Sequence, residues 1–260
     1  MNRGPLVLIA GAVVFVLILF FAFDTVPSDQ AQIEKSRALN FETVELESMV
    51  QASTQALPAD EAAFFRTYDN LVRTAQSDSA RIAALEQLSA AWYQRGGFAE
   101  AGYYAEQIAE IEPSAMNWEA AAMTFWNCIR SDLDLESRTI CRSHAEQSFQ
   151  NAISLDPENV TYRVNMAVCN ATLPPSDNPM KGIQSLLSLN EKYPENTSVL
   201  FWLAKFGLDT GQTDKAIARL QKALELAPDE RRLHCLIAEA YRQNGDSANA
   251  ERHMVECNED

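Results

Sequence analysis

The chain has 260 residues, 21 of them lysine or arginine and 36 aspartate or glutamate, for a formal charge of −15. That acidity excludes a nucleic-acid binder, which needs a basic face for phosphates, and a protein held flat on anionic lipid. A hydrophobic content of 47% suffices for one large or two ordinary packed domains.

Residues 5–23 (PLVLIAGAVVFVLILFFAF) carry no charged or strongly polar side chain, and the acidic excess lies wholly after them. A bilayer core of ~30 Å takes about 20 helical residues, and a helix pairs its own backbone groups there. A transmembrane helix is therefore predicted over 5–23, after a short cytoplasmic start at 1–4. The rival, a cleaved signal peptide, has an apolar run of about 7–15 residues and then a small-x-small site. Ala22–Phe23–Asp24 is a poor site of that kind. Arg3 precedes the segment, while Asp24 and Asp29 follow it with no Lys or Arg before Lys35. The positive-inside bias then puts the amino terminus in the cytoplasm and the large domain in the periplasm of a bacterium. Residues 24–57 read as a polar, weakly periodic stalk. Residues 58–81 read as a leading helix of the packed domain, since Ala62, Phe65, Tyr68, Leu71, Val72 and Ala75 form one apolar stripe.

Four later segments end alike, at Pro113, Pro157, Pro194 and Pro228, spaced by 44, 37 and 34 residues. Removing insertions of 10 residues near 131–140 and 3 within 173–179 leaves a common period of 34. Inside the period the same residue types recur. One copy shows Leu200, Leu203, Ala204, Gly211, Ala216, Leu220 and Ala223, and the next shows Ile237, Ala238, Tyr241, Gly245, Ala250 and Met254. An earlier copy shows Leu85, Leu88, Trp92, Gly96 and Ala101, and another Trp126, Ala145, Phe149 and Ala152. The most divergent has Met166, Ala167, Gly182 and Leu186.

This pattern resembles the signature of the tetratricopeptide-repeat family. The resemblance implies an all-α fold, with one transmembrane helix followed by a solenoid of antiparallel helix hairpins. Repeats fall at about 82–115, 116–159, 160–196, 197–230 and 231–260. Each residue type has a physical role: small residues let paired helices approach, an aromatic fills the gap toward the next hairpin, and glycine supplies the turn. The terminal proline ends the helix pair. A lone hairpin cannot bury its stripe, so several must stack.

Catalytic chemistry finds no constellation here, and neither a cofactor, a metal site nor a small-molecule substrate is expected. His144, His234 and His253 lack metal-ligand spacing, and there is no phosphate loop or nucleophile elbow. Among five cysteines, Cys128 and Cys141 flank the longer insertion and are disulfide candidates, as are Cys235 and Cys257 on the two helices of the last repeat. The resemblance further implies a protein-binding groove on the first helices. It carries over to Glu86, Tyr93 and Gln94; Asn117, Thr124 and Asn127; Thr161, Val164 and Val168; Phe201, Lys205 and Asp209; and Arg232, Glu239 and Arg242. Trp92 and Trp126 fall at core positions, whereas Trp118 and Trp202 are candidate partner anchors.

The layout of short cytoplasmic start, anchor and acidic repeat domain is similar to bacterial ancillary proteins beside the Sec translocon, which act with a membrane-anchored prolyl isomerase. The stretch NPMKGIQSLLSLNEKYPEN also resembles a repeat family of the Bacteroidota. These likenesses imply a membrane-anchored scaffold whose partners are proteins of an inner-membrane complex. The alternatives are an assembly subunit for cytochrome c maturation and a constitutive arm of a larger machine. Alkaline carbonate washing of membranes tests the anchor: the chain is expected in the pellet, and release into the supernatant removes the transmembrane reading.

Overall fold

The computed structural model describes residues 44–258, and every regular element among them is helical. The segments expected at 1–4 and 5–23, and most of the expected stalk, lie outside the described residues. Among the described residues no helix is long and apolar enough to cross a membrane. The chain divides into Met1–Glu45 and Leu46–Asp260, and the architecture below is that of the second unit.

Twelve helices follow one another: α1 over residues 44–56, then α2 (Ala59–Thr74), α3 (Asp78–Gln94), α4 (Phe98–Ile111), α5 (Ala115–Ile129) and α6 (Leu135–Leu155). They continue as α7 (Val160–Thr172), α8 (Lys181–Lys192), α9 (Thr197–Asp209), α10 (Thr213–Leu226), α11 (Arg231–Gln243) and α12 (Ser247–Asn258). From α2 onward each packs on the next, and the first helices α5, α7, α9 and α11 also touch in series. Five hairpins, from α3–α4 to α11–α12, therefore stack along one direction, as the period of the sequence requires.

Local chemistry sets the ends of these helices. Gly96, Gly211 and Gly245 hold φ of 79°, 75° and 80°, a left-handed region that costs glycine nothing. Around each, paired bonds close the helix: Gly97 N–H to the Trp92 carbonyl (2.9 Å), Gln212 N–H to Gly207 (2.8 Å) and Asp246 N–H to Tyr241 (2.9 Å). These are three copies of one Schellman turn. At the other end of the hairpins, Glu112, Asp156, Tyr193 and Ala227 each precede proline and leave helical geometry, with ψ of 81°, 79°, 67° and 74°. The proline ring excludes the α region for the preceding residue, so all four hairpins stop in one way. Side-chain caps restart the chain: Ser114 accepts from Asn117 N–H, Asn159 from Thr161 and Asn196 from Val199. Ser77 caps α3 likewise, so the first hairpin starts at Asp78, a turn before the expected boundary.

Helix pairs meet at small side chains. A Cβ at Gly182 of α8 would lie 2.2 Å from the Ala171 backbone nitrogen and 2.6 Å from the Ala167 carbonyl oxygen of α7. The apolar core runs as three clusters. The largest joins the second, third and fourth hairpins, a second joins the last two, and a third centres on Phe65, Leu85, Trp92 and Tyr104.

One expectation is corrected here. Residues 46–56, read as the end of a spacer stalk, pack on the domain: Leu46 and Val50 are buried, and the Ser53 hydroxyl donates to the Glu100 carboxylate of α4. The charges of Glu47 and Asp69 are felt on the same helix. Burial first, then these and Glu110, push the Tyr103 phenol up to about 12. The stripe of α1 is short and mixed, which is why periodicity left it polar.

Two disulfides close the cysteine hairpins. Cys128 pairs with Cys141 (Cα–Cα 6.1 Å) across the ten-residue insertion, and Cys235 with Cys257 (4.8 Å) across the last hairpin. Cys169 is buried and unpaired, and burial pushes its thiol pKa far upward.

Gly182→Ala is expected to lower unfolding stability by about 1–3 kcal/mol through overpacking against backbone. Gly207→Ala, whose Cβ would meet nothing nearer than 3.7 Å, is expected to raise it by about 0.5–1 kcal/mol through lost chain entropy. Urea unfolding of both decides the point, and equal effects would contradict the packing described. Replacing Cys128 and Cys141 together by serine is expected to cost about 3 kcal/mol. Reductant should then produce a smaller shift in thermal midpoint than in the parent chain.

Candidate functional site

A cleft opens where two repeats lack their gap-filling aromatic. Trp92, Trp126 and Tyr241 occupy that position in three hairpins, but the third has Asn170 and the fourth Gly207. Gly207 contributes no side chain to the space beside Ala216 and Arg219. The short insertion after α7 carries Pro174 and Pro179 along the edge of this space. The result is a cavity of ≈ 830 Å³, far larger than one side chain and within the range of ligand sites.

Its walls are apolar. Trp126 of α5 and Trp202 of α9 meet edge to face at 6.3 Å, and Phe206 stacks on Trp202 at 5.9 Å. Met180, just before α8, and Leu187 within it continue the lining outward, 52% and 40% exposed. The charged groups are mostly cations. The Arg130 guanidinium lies 5.6 Å from the Trp126 ring, and Arg219 Nη1 donates to the Leu203 carbonyl at 3.4 Å. Burial lowers the Arg219 pKa, the sign of a cation short of water. Lys205 is matched by Asp209 at 2.6 Å. Neither arginine has an ion-pair partner among the described residues.

The residues expected to form one groove fall into separate groups. Glu86, Tyr93, Asn117 and Thr124 come together, with Gln94, around a second hollow of ≈ 410 Å³ between the first two hairpins. Asn127 joins them by donating Nδ2–H to Tyr93 Oη at 3.2 Å. Two of these side chains also bond to nearby backbone: Asn117 donates to the Glu112 carbonyl at the end of α4, and Thr124 to Ala120 of its own helix, both at 2.8 Å. Further along, Arg232 lies 5.0 Å over the Phe201 ring, donates to Ser198 Oγ at 3.1 Å and pairs with Glu230. Lys205 belongs to the aromatic cleft, and Arg242 stands exposed at the end of α11. Val164 and Val168 are core residues, because α7 turns those positions inward.

Of the two tryptophans set aside as partner anchors, Trp118 is core and Trp202 lines the cleft. Trp126 does both. Arg130, Phe206 and Arg219 were missed by sequence reading, although glycine and asparagine at aromatic positions were the available signal.

The histidines are engaged within the fold. His144 Nδ1 lies 2.7 Å from Glu106, which also accepts from Ser148. His234 and His253 face each other at 3.0 Å between Nδ1 atoms, and His234 Nε2 donates to the Pro228 carbonyl. Among the described residues no three His, Cys, Asp or Glu side chains converge as a metal site.

Residues 197–230 match the tetratricopeptide-repeat model. Over 218 residues the chain is 24% identical to the human interferon-induced protein with tetratricopeptide repeats 2, covering 68% of this chain and 46% of that protein. The chain thus spans less than half the length of this curated relative. Among solved structures, a MamA protein is 15% identical with a TM-score of 0.43, covering 68% of this chain and 89% of its own. MamA from Desulfovibrio magneticus RS-1 is 16% identical with a TM-score of 0.44, covering 68% and 92%. Stacked helix hairpins present extended concave surfaces.

Proposed function

We propose that this tetratricopeptide-repeat protein is a membrane-tethered adaptor of the bacterial envelope, holding partner proteins of an inner-membrane complex such as the Sec translocon or its prolyl isomerase. The observation that carries the reading is the hollow between the first two hairpins. Glu86, Tyr93, Gln94, Asn117 and Thr124 present a carboxylate, a phenol, amides and a hydroxyl around an apolar floor. That mixture suits an extended peptide whose backbone needs polar partners and whose side chains need apolar seats. Tyr93 is 48% exposed, a large aromatic left in water at a place where a hot spot would sit. The apolar run at 5–23 supports the tether, and paired cysteines suit an oxidising compartment.

Crosslinking in intact cells, followed by mild-detergent purification through a C-terminal tag, tests the assignment. Translocon subunits or a prolyl isomerase are expected among stoichiometric partners, with their yield cut about tenfold by Tyr93→Ala combined with Glu86→Ala. Haem-handling proteins in their place would transfer the chain to cytochrome c maturation, and the absence of any stoichiometric partner would refute the adaptor.

A further inference from the structure

The aromatic cleft has a matching surface on the same molecule. The insertion that follows α5 reads Asp132–Leu133–Asp134–Leu135–Glu136, alternating acid with leucine. Leu133 and Leu135 are 40% and 67% exposed, apolar side chains left partly in water. Asp132 and Glu136 are exposed and have no ion-pair partner among the described residues. Asp134 is held by Ser137, whose backbone N–H and hydroxyl it accepts at 2.9 and 2.8 Å. Those bonds keep its carboxyl below the usual range. Beside this segment, starting at Arg130, lies a cleft with the converse chemistry: aromatic and aliphatic walls, and two guanidinium groups that form no ion pair among the described residues, the Asp209 carboxylate of the lining being taken by Lys205.

We infer that residues 132–136 of one copy, the turn before α6 and the first two residues of that helix, dock in the aromatic cleft of a second copy, and that the second copy reciprocates. A patch carrying both a knob and its complementary hole is self-complementary about a twofold axis, so each dimer makes the contact twice. Leu133 and Leu135 enter beside Trp202, Phe206 and Leu187. Asp132 and Glu136 meet Arg130 and Arg219, whose forked donors match carboxylates. Several features of the chain favour this occupant. The segment spans only the turn between α5 and α6 and the first two residues of α6. The Cys128–Cys141 disulfide closes it, which lowers the ordering entropy lost on docking. The cleft is a cationic patch on a chain of charge −15, so an acidic segment is attracted to this face and repelled elsewhere. A basic segment would meet two unpaired arginines.

A charge-swap experiment on the full chain in lipid nanodiscs tests the pairing, read by crosslinking and by the mass of the assembled species at equal lipid composition. The parent chain is expected to dimerise. Leu133→Ser with Leu135→Ser, and separately Gly207→Phe, which fills the cleft, should each weaken dimerisation by about tenfold or more with unchanged helical content and thermal midpoint. The double variant Arg130→Glu/Arg219→Glu and the double variant Asp132→Lys/Glu136→Lys should each be monomeric alone, yet form a dimer when mixed, since both loops then face a cleft of opposite charge. Recovery on mixing cannot come from misfolding, so it discriminates even if one substitution perturbs the domain. A monomeric parent chain, or failure of the mixed variants to pair, would overturn the inference. So would a monomer whose cleft captures an acidic–apolar peptide. Retention of the crosslinked envelope partners by the Leu133→Ser/Leu135→Ser chain separates this question from the adaptor reading, which depends on the hollow at Tyr93.

Discussion

The spacing between paired helices governs this molecule. In the third hairpin the backbone of α7 lies so close to α8 that only hydrogen fits at Gly182. Ala204 and Ala216, both fully buried, keep the fourth hairpin tight. A hairpin this narrow has no interior of its own. Its apolar stripe points outward and must be covered by the next hairpin, so the stack is a consequence of the small residues rather than an addition to them. The fourth hairpin shows the sharing directly. Along α9, Val199 and Leu203 belong to the large cluster, while Leu200, Ala204 and Leu208 belong to the C-terminal one.

Two kinds of turn close the hairpins, and they do different work. The glycine turns at Gly96, Gly211 and Gly245 are short, repeated and without side-chain consequences. The second and third hairpins replace glycine with inserted chain; the later insertion borders the aromatic cleft, and the earlier one begins next to its wall. One supplies the prolines on its edge, and the other follows directly from Arg130. Departures from the repeat therefore cluster at one place in an otherwise regular solenoid, which is how a scaffold of near-identical units acquires a distinctive surface.

Much of this architecture was readable because it rests on local rules. A proline forces its predecessor out of the helix, a left-handed turn demands glycine, and offsets within a hairpin place Cys128 opposite Cys141 and Cys235 opposite Cys257. The contact of His234 with His253 obeys the same hairpin geometry, although their separation of 19 residues matches no metal motif and hides it from a motif search. The cleft was harder to see because it is made of what is missing: Gly207 and Asn170 look like weak matches to a repeat until the neighbouring space is drawn. The groove on the first helices was legible only in its first portion. There, Tyr93 and Asn127 occupy equivalent places on successive hairpins. In the third hairpin a change in burial turned Val164 and Val168 into core. The packing of α1 rests on Leu46, Met49 and Val50, with the polar Ser53 next on the same face, a stripe of about two turns too short and too mixed to stand out.

The fifth cysteine sets a condition on how the chain reaches its final covalent state. An odd thiol beside two disulfides is normally a hazard, because a thiolate can attack either bond and shuffle the pairing. Cys169 sits inside α7, and its burial opposes ionisation, so the folded protein offers almost no nucleophile. Shuffling is then confined to the time before α7 is covered by α6 and α8. Once the third hairpin docks, the connectivity is kinetically sealed, and reopening it requires undoing the middle of the stack rather than fraying an end.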